Sequence, residues 1–590
     1  MKVIKTIGLA LFLSGFGIFI GSFFLESYRI TPEILKEQIG EKANLLTSNS
    51  EIVGRTYNNS FTVVSELHEA FKAVNDQQLA VFGITEPEVK DLVSKNKNKF
   101  QLSSLDRVFD NSEAGKYKKK TFQDYGGWLD GREFQGSEEM LQQITNVATN
   151  IKLYQIVNEK GFDKYKIKDL KYSITKASST GPVSSNPGLF LLLTYLACIL
   201  GALLYILPKV KDGPPGIKNN GLFHRAMTSV GWLGILTGTF LIVFYILLYY
   251  YPEYMTSWII TVDPVSQFLK GSDAGRFFLY GFIYTLCILV MGGRMIIKYR
   301  HSKYQVVRTV SVMFFQTAFA FLIPEILLRL NQPYFDFKNI WPLDYDFFFD
   351  NELSTLLANG SLGIFMLGWG IALIIIGVPV FVYFFGKRWY CSWVCGCGGL
   401  AETLGDPYRQ LSDKSVKAWK VERWMIHGVL VFAIVMTGGV LYTYWTGNSQ
   451  ILGLSSYDVR SVYGAWIGAG FAGVVGTGFY PLMGNRVWCR FGCPLAAYLG
   501  LVQRFKSRFR ITTNGGQCIS CGNCSTYCEM GIDVRWYAQR GQNIIRSSCV
   551  GCGVCSSVCP RGVLNLEVKD EEGRFGKPIL LGNDGVKLQD

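Results

Sequence analysis

The sequence predicts a mainly α-helical protein: a multi-pass transmembrane helical bundle with an exported helical domain and a small cysteine-rich domain after the last span. Three observations predict this. Eight apolar runs, each about as long as a bilayer crossing requires, punctuate the chain. A polar, cysteine-free stretch, residues 25–187, separates the first run from the second. Thirteen of the fifteen cysteines fall between Cys391 and Cys559.

Composition agrees with this division. Only 18% of residues are charged and 49% are hydrophobic, the average expected when apolar spans alternate with soluble stretches. The net charge of +14 does not point to nucleic acid, because the Lys and Arg gather beside apolar runs, where charge sets membrane orientation. A disulfide framework would spread its cysteines through the exported part. Their absence there points instead to metal on the reducing side.

Residues 1–24 form an N-terminal anchor: Lys2 and Lys5 precede an apolar run, and no small-residue cleavage signal follows. Residues 25–187 read as a soluble, mainly helical domain, with helical periodicity over Thr62–Asn75 and Glu86–Lys95, closed by the linker-like KASSTGPVSSNPG. Residues 188–500 form a seven-span membrane domain, with spans near 188–207, 228–251, 276–297, 309–330, 361–386, 426–446 and 461–483. The basic loops around Lys209–Arg225, Lys298–Arg308 and Lys387–Arg423 alternate with acidic or neutral ones, most clearly Asp336–Glu352. The positive-inside rule places the basic loops and the C-terminus in the cytoplasm and residues 25–187 outside, in a bacterial cytoplasmic (inner) membrane.

Residues 501–590 carry the strongest chemical signal. Cys518, Cys521, Cys524 and Cys528 make one C-x2-C-x2-C-x3-C run; Cys549, Cys552, Cys555 and Cys559, followed by Pro560, make another. Three close thiolates hold three corners of a cubane, and in two-cluster ferredoxins the fourth cysteine of each run serves the other cluster. Cys518, Cys521, Cys524 and Cys559 are therefore assigned to one 4Fe–4S cluster, and Cys549, Cys552, Cys555 and Cys528 to a second. Zinc is the competing reading of any C-x2-C pair, but two complete runs are far more specific than one knuckle. Glu529 stands where proline usually follows the fourth cysteine.

An internal repeat adds a second signal. Arg388-Trp-Tyr-Cys391-Ser-Trp-Val-Cys395-Gly-Cys397 leaves one span, and Arg486-Val-Trp-Cys489-Arg-Phe-Gly-Cys493-Pro494 leaves another. Neither C-x3-C pair can fill a cluster alone. Together Cys391, Cys395, Cys489 and Cys493 would supply four thiolates for a third 4Fe–4S cluster, with Cys397 as a competitor of Cys395.

A repeated aromatic-flanked C-x3-C at a membrane exit, followed by a double four-cysteine run, resembles the membrane polyferredoxin family (NosR, NapH and CcoG type), over about residues 361–565. The resemblance implies single-electron transfer from a cytoplasmic or quinol donor, through 4Fe–4S clusters, to a membrane or exported acceptor. The alternative is a redox-linked assembly or sensory protein whose exported domain docks a client. Two departures stand out: Gly396 replaces the family's proline, and Ser178-Ser179-Thr180-Gly181 lacks the Ala-Thr of a covalent flavin site, so flavin on Thr180 is not expected. A non-covalent flavin or a quinone would bridge the gap across the bilayer but has no motif here. Lipid is the remaining partner, and nucleic acid is excluded.

Four histidines are too few and too scattered for a bis-histidine haem: His68 reads as a helix-surface residue, His224 and His301 as loop residues, and His427 as interfacial. Glu325, after Pro324 in its span, is the ionisable group costliest to leave without a partner, read either as a proton or quinone-site residue or as lying in the outer interface, and Arg294 reads as snorkelling. No nucleophile or nucleotide loop stands out. The chain therefore reads as an electron-transfer subunit of an oxidoreductase system, with no catalytic residue assigned.

Overall fold

The computed structural model describes residues 2–96, 99–211, 231–447, 450–451, 454–568, 580–582 and 585–587, and these are mainly helical. Lys218, His224 and Arg225 lie outside the described residues. Two compact units divide the chain: residues 19–190 with 252–261, and residues 1–18 with 191–251 and 262–590.

The first unit is helical with two apolar cores. Helix Ser60–Phe82 starts where the Asn59 side chain accepts the Thr62 N–H at 2.9 Å, and its i, i+4 apolar face buries Val63, Leu67, Phe71 and Val74. That face packs with Leu35, Leu46, Phe162 and Ile174. The second core gathers Leu92, Phe100, Phe122, Leu129, Ile144 and Ile151. The stretch 176–188, which reads as a linker, is ordered for a physical reason. Buried Glu26 accepts the N–H groups of Gly181, Val183 and Ser184 and the Ser184 hydroxyl, capping helix Pro182–Ser185. The short segment 252–261 also belongs here: the Trp258 indole donates to Phe19 O at 2.7 Å, and Lys171 pairs with Glu253 at 3.2 Å.

Among the described residues, six helices are long and apolar enough to cross a membrane: Lys2–Ser22, Pro187–Pro208, Arg276–Lys298, Lys303–Arg329, Gly360–Phe385 and Val416–Thr446. Gly234–Tyr250 is a shorter apolar helix, and the run expected near 461–483 is helical over residues 456–478, then breaks at Phe479 before Tyr480–Met483. Their outward faces carry bare apolar side chains such as Ile375, Val435 and Trp466, as a lipid-facing surface requires.

The acidic stretch between the Lys303–Arg329 and Gly360–Phe385 helices is not a plain surface loop. It folds back among the helices, so that Ile340 packs with Val378, Val382 and Tyr390. The Trp341 indole donates to the Thr437 hydroxyl at 3.0 Å, and the Trp369 indole to Phe337 O at 2.8 Å. Gly370 makes room for it: a Cβ there would stand 2.3 Å from the Phe347 ring. Irregular backbone at such depth is tolerable only because protein surrounds it.

The C-terminal part is small. Phe509–Thr513 pairs antiparallel with Leu564–Val568, Thr513 opposite Leu564, closing the segment that carries both four-cysteine runs.

Candidate metal centres

Each four-cysteine run forms a loop and one short helix. Gly522 and Gly553, at φ 80° and 74°, start helices Asn523–Thr526 and Val554–Ser557, which carry Cys524 and Cys555. The residue before the second cysteine of each run is also left-handed, Ser520 at φ 58° and Gly551 at φ 60°. Position 551 has no room for a side chain, since a Cβ would meet that of Arg388 at 2.6 Å. At 520 the serine side chain is free to accept from the Gln539 amide.

The two loops interlock. Cys518, Cys521 and Cys524 share a cavity of about 360 Å³ with Cys559. Cys549, Cys552 and Cys555 share another, of about 390 Å³, with Cys528. Each cavity thus takes three thiols from one run and one from the other.

The C-x3-C pairs occupy equivalent places. Cys395 is the residue before helix Gly396–Thr403, and Cys493 the residue before helix Pro494–Lys506, where its Sγ accepts the Ala496 N–H at 3.4 Å. A helix N-terminus favours a thiolate. Gly396 thus holds the first-turn position that Pro494 holds in the second copy, and needs no proline because it only has to start a helix. Cys391, Cys395, Cys489 and Cys493 line a third cavity, of about 270 Å³, and Cys397 joins them there. Hydrogen bonding to Cys397 holds the Cys395 thiol below its ordinary range, against the effect of burial, with Lys338 and Arg486 adding to the lowering. Leu343, from the inward-folded acidic stretch, completes the lining.

Between the second and third cavities lies a buried ionic cluster that the sequence did not disclose. Glu402, Asp406 and Glu529 face Arg294, Lys298, Arg308, Arg409 and Arg486, three carboxylates against five cations. Asp406 binds Arg294 at 2.7 Å, Lys298 at 2.6 Å and Arg409 at 2.9 Å. Burial pushes its carboxyl up, but Lys298, Arg294 and Arg409 outweigh it and hold it well below the usual range. Glu529 sits 3.0 Å from Arg486 and also pairs with Arg409. Burial again opposes ionisation, and Arg409, Arg486 and Arg308 bring the Glu529 carboxyl down to about 2. Arg486 also reaches Cys391 O at 3.2 Å and Cys489 Sγ at 3.6 Å.

Backbone carbonyls of the second run are held by the helical part of the same unit. Tyr304 donates to Gly551 O at 2.7 Å, Gln305 to Cys552 O at 2.8 Å, Ser392 to Val550 O at 2.8 Å and Gln503 to Cys549 O at 3.0 Å.

Glu529, which stands where proline usually follows the fourth cysteine, is a buried charge hub. The signal was available, because an acid flanking a ligand cysteine inside an otherwise apolar motif requires cations. Arg294 does not snorkel: it is buried against Asp406. Glu325 has a cationic neighbour, Lys270, at 4.0 Å. His68 is exposed on its helix, and the exposed His301 approaches Ser557 O at 3.4 Å.

Helical spans joined to interlocked, all-thiol loops define a membrane protein with ferredoxin-type domains. Family models agree: a 4Fe-4S binding domain matches residues 368–418 and 464–512, and a 4Fe-4S dicluster domain matches 510–560. The chain is similar to YccM of Escherichia coli, 27% identical over 25% of this chain and 43% of that protein. It is also similar to the methylamine utilization ferredoxin-type protein MauN of Paracoccus denitrificans, 29% identical over 26% of this chain and 51% of the relative. The ferredoxin-type protein NapH of Haemophilus influenzae is 26% identical over 27% of this chain and 54% of its own length. The matches thus span about half the length of these relatives. They support an iron–sulfur electron-transfer protein of this ferredoxin type. No solved structure matches the chain.

Proposed function

We propose that this chain passes single electrons from a cytoplasmic or quinol donor through three 4Fe–4S centres to a membrane or exported acceptor. One observation carries the reading: three cavities are each lined by at least four cysteines, drawn in every case from two separate segments. The donor sets fit the group. All candidate ligands are thiols, no histidine among the described residues lines the cavities, and glycines at positive φ open the backbone around two of them. The outer centre would use Cys518, Cys521, Cys524 and Cys559; the inner one Cys528, Cys549, Cys552 and Cys555. The membrane-face centre would use Cys391, Cys395, Cys489 and Cys493, with Cys397 alongside.

A bound cluster supplies the one-electron chemistry. The chain supplies thiolates at two helix N-termini, backbone N–H groups in the turns, and buried surroundings for Cys391, Cys395, Cys489, Cys493, Cys549 and Cys555. In this reading residues 1–24 anchor the chain, 25–187 lie outside, 188–500 hold the membrane-face centre and 501–590 the other two, in a bacterial inner membrane. An impermeant thiol reagent that labelled, from outside, a cysteine introduced near Asp590 would reverse the orientation.

Iron, labile sulfide and EPR of the full chain, purified anaerobically in detergent, test the function. About twelve irons are expected, falling to about eight in both Cys391→Ala and Cys489→Ala. Bound zinc without a reducible signal would overturn the reading.

A further inference from the structure

We propose that Arg486 and Glu529 couple the inner centre to the membrane-face centre, and that their opposite charges direct electrons toward the membrane face. The inference rests on the three-centre reading above. Glu529 follows the ligand position Cys528 in the chain, and its carboxylate, with that of Glu402, lies within 4.8 Å of Cys552 Sγ. The other end of the bridge is Arg486, 3.0 Å from Glu529 and 3.6 Å from Cys489 Sγ. One fully buried ion pair therefore runs from beside a thiol of one cavity to a thiol of the other. Arg486 Nε has no acceptor among the described residues, so this guanidinium keeps a donor in reserve beside the third cavity.

The two ends differ in sign. At Cys489 the neighbouring charge is a cation in hydrogen-bond contact; at Cys552 two carboxylates stand close, partly offset by Arg308 and Arg409, which pair with them. Reduction adds a negative charge to a centre. A cation on its ligand favours that state and a carboxylate disfavours it, and hydrogen bonds to the sulfurs act in the same sense as the cation. The membrane-face centre therefore takes the higher potential. One electron leaves the inner centre, which is oxidised, and reduces the membrane-face centre; no bond is made and no proton is required.

Glu402, Glu529 and Cys552 could otherwise be read as a separate metal site. Glu402 already pairs with Arg308, Arg409 and Arg486, and Glu529 with Arg409 and Arg486, so arginines compensate both carboxylates where a divalent ion would have to.

The experiment is an anaerobic redox titration of the full chain followed by EPR, with iron content measured on the same samples. The membrane-face signal is the one lost in Cys391→Ala. In the unaltered protein it should have the highest midpoint of the three. Arg486→Gln should move that midpoint negative, leave the outer centre unchanged, and slow inner-to-membrane-face transfer at least tenfold; Arg486→Lys should restore most of the shift. Glu529→Gln should move the inner centre positive, which keeps the test open if Arg486→Gln loses iron. A membrane-face midpoint below the inner one, or equal shifts at all three centres with full iron, would overturn the inference. About eight irons in the unaltered protein would instead overturn the three-centre reading, and this inference with it.

Discussion

The two four-cysteine runs share one spacing and sit in opposite surroundings. Around the outer cavity Cys521 is exposed, Ile519 is 57% exposed, and Arg535 and Arg561 lie on the surface. Around the inner cavity Cys549 and Cys555 are buried, and four side chains from the helical part of the unit hold the backbone carbonyls of the loop. Equal motifs therefore sit in unequal places: the outer one is open to solvent, and the inner one is built into the scaffold.

The sharpest test of that contrast removes one ligand from each. Cys521→Ala should lose about four irons and leave the thermal unfolding of the detergent-solubilised protein nearly unchanged. Cys552→Ala should lose a similar amount and lower the unfolding temperature clearly, because its loop is part of the packed interior. Equal destabilisation by the two would erase the distinction.

A somewhat smaller effect is expected behind the inner loop. Asp406→Asn leaves Arg294, Lys298 and Arg409 without their carboxylate, a loss of about 3–5 kcal/mol for a buried pair. The sign with pH follows from the depressed carboxyl of Asp406. Its contribution is complete above the ordinary carboxylate range and disappears only as pH falls through the lowered folded value. Unfolding midpoints between pH 8 and 5 should therefore show no loss from this group, whereas Asp406→Asn should be destabilised throughout that window. A variant as stable as the parent would show that the cluster does not hold the inner loop.

Single hydrogen bonds come next. Gln305→Ala and Tyr304→Phe should each cost about 0.5–1.5 kcal/mol and broaden the EPR signal of the inner centre alone. A change confined to the outer signal would contradict the assignment of loops to scaffold.

The smallest effect belongs to the exposed rim. Arg535→Glu with Arg561→Glu should alter stability by less than about 0.5 kcal/mol. It should slow reduction by an acidic soluble donor several-fold, and the difference should shrink as salt rises. Stopped-flow reduction at two ionic strengths checks this, and a salt-independent rate would argue for entry elsewhere.

How much was legible varies by residue. The apolar runs and the thiol spacing were readable, because hydropathy and ligand spacing are local or short-range properties. The linker-like 176–188 hid its order because Glu26, its partner, is far away in the chain. The acidic stretch around Asp336–Asp346 looked like a surface loop, since charge alone cannot reveal that Ile340 and Trp341 anchor it among helices.

By itself the sequence determined the ingredients: helices long enough to span, a cysteine-free helical unit, and thirteen clustered thiols with ligand spacing. Only the tertiary structure decided that Cys391 and Cys489 meet, that Arg294 is buried, and that Glu529, Arg486 and Glu402 form one ionic cluster between two cavities. The reason is physical. Burial and pairing of charge here depend on contacts between residues as far as 120 positions apart, as in Arg409–Glu529, and no periodicity or motif records them.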